Sequence, residues 1–547
     1  MNSKRFLSAC LAAIIGASAL AGCSGGQSAP ASSGSDAAPA SSAAPAASSE
    51  ASGGAAAAPS GQLKELTIFS DFSSNAAKVI KSYEENIVFQ TREEQTGVHV
   101  TWNHPPAGQS NEQFNLMVSS GDLPDVIMYG WNSVSGGALK YVNDGIIIDL
   151  TPYMDQYAPS FIKLMEENPE ARKQIVDDNS NYYYLPMLRL EDKLRVVSGP
   201  QIRVDWLNKL NLEKPKTIDE LYNVLKAFKE QDPNGNGEAD EFPMTGQKFR
   251  GTNGIGNMVG AWGTSWDYYV KDGKILFGPV QPEFKEGLEF IVKCFSEGLI
   301  DPDYMLNDRT KQDAKVTGGI SGFLYAIQPA TFMRTMAESG REPDFLVEGM
   351  TWPTGKDGVA YALLSEYDNM AVGPCAAITT EAKYPEETLQ WLDYAYSDEG
   401  NILFNLGIEG DTFHWDGDKA VYEDKVLNDD QGGYGTFNMA LNGWAMSQST
   451  LYHEQLMWQY GYPAAEFWRP ADRSLPLPSL TFTDEETKRV SKLKTDIDTY
   501  VDEMLDKFTT GKEPMANWDS YVAAVNGMGL EELTAIYQAS YDRYQAR

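Results

Sequence analysis

The order of apolar and polar positions along the chain predicts strands and helices in alternation. KELTIFSDF, Lys64 to Phe72, is a strand with turn residues after it. Asn75 to Glu94 is long, mixed and compatible with a helix, and GVHVTWNH (Gly97 to His104) then alternates with the period of a strand. Asn111 to Ser119 predicts the next helix. Gly121 and Pro124 punctuate the chain before Val126 to Tyr129, a short buried strand. Strand, helix, strand, helix, strand is the rhythm of a parallel sheet with both faces covered. Ligands of such sheets sit beyond the carboxyl ends of the strands, which makes Asp71, Trp131 and Asn132 the first candidate site residues.

The second half repeats the theme. Tyr182 to Arg189, YYYLPMLR, is an extended apolar segment broken by Pro186. Thr217 with Glu220 is a capping-box pattern opening a helix over Ile218 to Lys229. Phe284 to Glu297 and Pro385 to Tyr396 predict amphipathic helices, and Thr483 to Phe508 and Trp518 to Tyr544 close the chain with helical periodicity. No repeat of 20–50 residues is visible along the sequence.

Composition sets the scale and excludes some partners. A chain of 547 residues with 42% hydrophobic content exceeds what one core supports, so two lobes are expected. The net charge of −33 argues against nucleic acid and against a polyanionic ligand. Four histidines, His99, His104, His414 and His453, are too scattered to suggest a zinc site. Lys4 and Arg5 precede LSACLAAIIGASAL, a short apolar run with the layout of a signal peptide, residues 1–22. Ser24 to Gly61 is almost entirely Ala, Ser, Pro and Gly, a composition that cannot bury enough apolar surface to fold. No later stretch has the length and apolarity of a membrane-spanning helix. Cys294 and Cys375 lie in apolar stretches and read as buried thiols, with a disulfide between them as the alternative.

One loop carries metal-binding chemistry. DPNGNGEADEF, Asp232 to Phe242, places Asp232, Asn234, Asn236 and the Glu238 carbonyl at the first four ligand positions of an EF-hand, around Gly237 at the sharp turn. Asp240 follows, but Pro243 stands where the closing bidentate Glu belongs, and Glu241 would have to supply that carboxylate. Two readings stand here: a calcium site, or a solvated Asn-Gly turn that the same residues favour.

Several blocks read together resemble one family. Leu20-Ala21-Gly22-Cys23 resembles the lipobox of bacterial lipoproteins, in which the cysteine after the cleavage point carries lipid. GDLPDVIMYGW, YVNDGIIIDLTPYM, IRVDWLNKLNLEKPKTIDELYNVLKAFKE, LDYAYSDEGNILFNLGIEGDTFHW and the ending from PLPSLTFTDEE to FTTGKEPMANWDSY resemble the extracellular solute-binding lipoproteins of carbohydrate ABC importers, family one, long form. The resemblance covers nearly everything from Lys64 onward. It implies a two-lobe α/β fold of the periplasmic-binding-protein type (type II, like maltodextrin-binding protein), with interlobe hinge strands and a helical C-terminus. The crossings would be Tyr182 to Arg189 and Asn369 to Ala376. The first lobe is then expected over 62–187 and 370–430, the second over 188–369 and 431–547, after a lipidated Cys23 and a tether to residue 61. Family members that bind acidic oligosaccharides hold structural calcium in such a loop, which implies Asp232, Asn234, Asn236, Glu238, Asp240 and Glu241 as ligands. The implied partners are a carbohydrate and the membrane permease, and the implied place is the outer face of a bacterial membrane, with a monomer expected.

An aromatic side chain covers the C–H face of a sugar while polar groups meet its hydroxyls. Candidate residues in polar, glycine-rich loops are Trp131 with Asn132, Trp262, Tyr367 with Asp368, Trp444, and Arg469 after Trp468, together with Asp71 and Phe323. Trp391, Tyr394 and Tyr396 read as core. The negative charge favours a neutral oligosaccharide. A polysaccharide hydrolase or lyase is the chief rival and would need two carboxylates flanking the scissile bond. The chain has 77 acidic residues, but no catalytic elbow, metal triad or phosphate loop singles out a pair. A peptide-binding protein and an adhesive lipoprotein are the remaining alternatives.

Overall fold

The computed structural model describes residues 61–73, 76–427, 444–451 and 462–547. The signal peptide, Cys23, the tether up to residue 60, Asn442, Gly443 and the expected boundary at 430/431 lie outside the described residues. Strands β1 (Glu65–Phe69), β2 (His99–Asn103), β3 (Val126–Tyr129), β4 (Leu185–Leu188) and β8 (Ala371–Ile378) form a five-stranded sheet in the order β2-β1-β3-β8-β4. β1 runs parallel to β2 and β3, with Phe69 opposite both Asn103 and Ile127, while β8 lies antiparallel between β3 and β4. The alternation read from GVHVTWNH appears as buried Val100 and Trp102 between exposed His99, Thr101 and Asn103.

The helix expected from Asn75 starts later, at Ile87. Ser82 accepts from the Glu84 amide and opens a short 3-10 turn, and Asn86 then accepts from Val88 N at 2.8 Å to cap α1 (Ile87–Thr96). These local side-chain bonds compete with a continuous helix and win. α2 (Ser110–Ser120) lies within a residue of its expected bounds.

A first core gathers residues from Leu63 to Leu188, from Ala371 to Val426, and Trp444 to Met446. A second gathers Val196 to Tyr367 and Ala464 to Leu533. In the second region, β5 (Ser198–Arg203) pairs antiparallel with β6 (Phe323–Ile327) and with β7 (Val347–Gly349). Both faces of that sheet are covered. Phe323 and Tyr325 point into the second core, while Leu324 and Ala326 pack on Phe332, Met333 and Met336. The capping box is formed: Thr217 Oγ1 accepts from Glu220 N and Glu220 Oε2 from Thr217 N, both at 3.1 Å, opening α3 (Ile218–Glu230). α4 (Pro282–Ser296) and α5 (Asp484–Thr509) follow the expected periodicity. The last expected helix is two, Trp518–Gly527 and α6 (Leu530–Ala546), because Gly529 sits at φ +97°, where the helical path cannot continue.

Among the described residues, two segments run between the regions and the start of a third is seen. The chain leaves β4 at Leu188 for β5, and returns from Tyr367 into β8. Residues 444–451 run beside Leu188, whose N–H donates to Met446 O at 2.7 Å, before the helix Tyr462–Trp468 packs on the second core. There the Trp468 indole lies so close over Gly199 that a Cβ would come within 2.6 Å of it. Cys294 and Cys375 are free, buried in different cores, and burial pushes both thiols up to about 12. Among the described residues, no helix is long and apolar enough to cross a membrane.

Candidate functional site

The parallel strands deliver polar groups to one edge of the first sheet. Beyond β1 stands exposed Asp71, and beyond β3 exposed Asn132. His104, after β2, braces this edge. Its Nδ1 donates to Ser70 O at 2.9 Å, and its Nε2 accepts from Tyr83 N at 3.3 Å, which fixes the neutral tautomer. Burial pushes the His104 pKa down, in keeping with that role, against the upward pull of Ser70 O, Glu84 and Asp71. Tyr129 ends β3 half-buried, its ring stacked on Phe114 with centroids 3.9 Å apart, its hydroxyl donating to Asn111 Oδ1 at 2.6 Å. Across the edge, Gly373 of β8 leaves room beside Asn132, whose Oδ1 would lie 3.4 Å from a Cβ there. Asn111 and Tyr129 escaped the sequence reading, although VIMY ends on the one ring that the strand carries to this edge.

The aromatic candidates are corrected by burial. Trp131 is 1% exposed, its Nε1 donates to Ile127 O at 2.9 Å, and Phe114 and Tyr141 meet it edge to face. The turn after β3 sends the indole back under the sheet and leaves Asn132 outside. Trp444 is 1% exposed, wedged among Phe89, Trp102, Trp391 and Phe404. Phe323 faces the second core as the first residue of β6. Tyr367 is fully buried and donates its hydroxyl to Ser198 O. Trp262 is half-buried against Phe290 of α4. None of these rings stands in an open loop.

Asp368 and Arg469 fall in a charged cluster where the connecting segments meet. Arg473 donates to both oxygens of Asp192, at 2.5 and 3.1 Å, and lies 3.7 Å from Asp368. Arg195 donates to Tyr367 O at 2.9 Å and lies 3.5 Å from Asp192 and 3.9 Å from Asp368. Arg469 pairs with Glu466 at 2.6 Å. Burial raises the Asp192 pKa, but the Arg473 bonds and the charges of Arg473, Arg195 and Arg469 outweigh it, and the net shift is downward. At Asp368 burial wins over the same arginines, and the net shift is upward.

The Asp232–Glu241 loop is folded around its own oxygens. Asp232, at φ +46°, accepts from the amides of Gly235, Asn236 and Gly237. Asn234 Oδ1 accepts from Asn236 N at 2.8 Å and Asn236 Oδ1 from Glu238 N at 2.7 Å, while both amides donate toward Asp240. Glu241 is fully buried and neither carboxylate oxygen has a hydrogen-bond partner. Burial, with Asp240 and Asp232 nearby, pushes its pKa up. Among the described residues, no group of three or more His, Cys, Asp or Glu gathers as a metal cluster; the oxygens in this loop belong to carboxylates, side-chain amides and backbone carbonyls.

A sheet edge of exposed polar groups on one core, linked by crossing segments to a second core, defines a two-lobe solute-binding protein. The chain belongs to the bacterial extracellular solute-binding protein family, whose profile matches residues 75–402. It is 28% identical over 497 residues to the fructooligosaccharide ABC transporter substrate-binding protein FusA of Streptococcus pneumoniae, covering 85% of this chain and 88% of FusA. It is 31% identical over 330 residues to lipoprotein LipO of Bacillus subtilis, covering 57% and 61%. Among solved structures, FusA in complex with kestose superposes with a TM-score of 0.69 at 25% identity, over 88% of this chain and 100% of that one. The alginate-binding protein AlgQ2, solved without calcium ion, superposes with 0.66 at 26% identity, over 88% and 98%.

Proposed function

We propose that this chain is the extracytoplasmic substrate-binding subunit of an ABC importer that captures a neutral oligosaccharide between its lobes and delivers it to a membrane permease. The observation that carries the reading is the first-sheet edge, where exposed Asp71 and Asn132 flank the Tyr129–Asn111 pair. Carboxylate and amide groups there meet hydroxyls, and Tyr129 offers a ring at the same edge. Asp368 and Arg469, at the connecting segments, would close the far side. FusA, described as a fructooligosaccharide-binding subunit, supports the ligand class, and the charge of −33 supports a neutral ligand. The lobes we assign are 62–187 with 370–430, and 188–369 with 431–547.

Binding without chemistry sets this reading apart from a hydrolase or lyase. After prolonged incubation with kestose, chromatography is expected to return the trisaccharide intact, and shorter products would make the protein an enzyme. Lipid anchoring at Cys23, supported by LAGC and the similarity to LipO, would hold the monomer at the extracytoplasmic face of a bacterial membrane. Cys23→Ser is expected to move the folded protein from the membrane to the soluble fraction. Retention on membranes would refute the anchor.

Calcium in the Asp232–Glu241 loop is part of the same proposal, and the residues fit it. A fully buried carboxylate with no partner is costly unless a cation meets it. Glu241 would close a ligand set of Asp232, Asn234, Asn236, the Glu238 carbonyl and Asp240, a hard oxygen environment. When bound, the ion supplies a positive charge directly at the Glu241 carboxylate, whereas the nearby Lys229 ammonium donates to the Glu241 backbone carbonyl instead, at 2.6 Å. Its role is structural: Asn234 Nδ2 donates to Gly319 O at 3.0 Å, fastening the loop to the chain that enters β6.

A further inference from the structure

The final helix belongs to the second core, where Leu530 and Leu533 are buried, yet its end reaches the first. Arg547, its side chain 2% exposed, donates from Nε and Nη2 to Asp178 Oδ1 at 3.0 and 2.5 Å and from Nη1 to Lys173 O at 3.0 Å. Arg543, one turn earlier, donates from Nε to Asp178 Oδ2 at 2.7 Å. Its other nitrogens hold Glu486, in the first turn of α5, at 3.0 and 2.6 Å. Asp178 follows the helix Pro169–Ile175, and its neighbours Val176 and Tyr182 are buried in the first core. That same helix grips the returning segment: Gln174 donates to Asp368 O at 2.8 Å and accepts from Met370 N and Ala371 N at 2.8 and 3.3 Å. One stretch, Lys173 to Asp178, therefore holds both the return crossing and the end of α6.

We propose that Arg543, Arg547 and Asp178 form a non-covalent fourth crossing that positions the lobes and restricts how they move against each other. Two arginines share both oxygens of one carboxylate, and charge-assisted bonds of this kind are directional as well as strong. A rotation about an axis through the contact leaves its distances almost unchanged. A twist about any other axis must break them. Because the contact shares a six-residue stretch with the grip on the return crossing, it lies close to the pivot of hinge bending. It therefore permits closure and resists twisting. These are positioning residues, and their effect on ligand rests on the binding function proposed above.

Hydrogen exchange on the full chain tests the crossing without any ligand. In Arg543→Ala/Arg547→Ala, the amides of Met370, Ala371 and Arg189, which donates to Met370 O, are expected to exchange at least about tenfold faster, while β1 and β2 keep their protection. Asp178→Asn, which leaves the Arg543–Glu486 pair intact, is expected to give the same pattern and guards against simple loss of α6. Arg543→Lys/Arg547→Lys keeps the charge but not the fork, and is expected to restore the protection only in part. With kestose as probe, the alanine pair is expected to weaken binding at least threefold. Faster exchange confined to residues 530–547, with Met370 and Ala371 unchanged, would overturn the proposal and reduce the contact to a helix-end staple. Failure of kestose to bind the wild type would instead refute the binding function and leave the exchange result to decide the crossing.

Discussion

Trp131→Ala is expected to destabilise the first core by about 3–5 kcal/mol, the range for truncating a buried large aromatic. The indole is 1% exposed and its N–H is satisfied by Ile127 O, so truncation leaves a cavity among Phe114, Tyr129 and Tyr141 and removes that hydrogen bond. Urea titration, followed at the transition that reports the first core, measures the loss. Affinity per folded molecule is expected to change far less, through the altered seat of Tyr129 alone. A variant with wild-type stability and abolished sugar binding would return this ring to the binding surface and refute its placement in the core.

Removing the Glu241 charge is the second large effect. In calcium, the wild type is expected to gain about 2.7 kcal/mol when free ion exceeds its Kd a hundredfold, since the ion binds the folded state. With chelator that gain disappears and the buried carboxylate stands alone. Glu241→Gln is therefore expected to melt higher than wild type in chelator and to gain nothing from calcium. The pH dependence follows from the raised pKa of the metal-free loop. Below the ordinary carboxylate value both folded and unfolded chains carry a protonated Glu241, and this group costs nothing. As pH rises through the ordinary value toward the raised folded value, the unfolded chain releases its proton first and the folded chain loses stability. Calcium reverses that slope by binding the ionised form. Melting curves from pH 4 to 8, with and without calcium, check both signs, and identical curves would make the loop an ordinary turn.

The strand rhythm was legible because burial alternates with period two in β1 and β2, and the sequence alternates with it. The crossings at Tyr182 to Arg189 and Asn369 to Ala376 came from the family resemblance alone, since no local pattern of apolar residues marks a strand as one that leaves its lobe. The direction of single rings at strand ends was not legible. Trp131 and Asn132 are adjacent, and which one turns outward depends on Phe114 and Tyr141, brought from other elements. Trp444 looked like a loop residue beside Asn442 and Gly443, but its burial depends on Phe89 and Phe404, which no local pattern reveals. The clamp at Asp178 joins residues more than 360 positions apart, so spacing carries no trace of it. Conversely, the proposed calcium ligands could be named from the sequence because they lie within ten consecutive residues.

The proposed function turns on capture of an oligosaccharide at the edge formed by Asp71 and Asn132. Isothermal titration of the calcium-loaded protein with kestose, trigalacturonate and a tripeptide tests it most directly, in parallel with Asp71→Ala/Asn132→Ala. Both side chains are exposed, so the double variant keeps its melting temperature. Losing two hydrogen-bonding groups, each worth about 0.5–1.5 kcal/mol, is expected to weaken binding about tenfold. Saturable one-to-one binding of the neutral trisaccharide is expected, with weaker or no binding of the other two, and with that loss in the variant. Preferential binding of the peptide, or undiminished sugar affinity in the double variant, would contradict the proposed function.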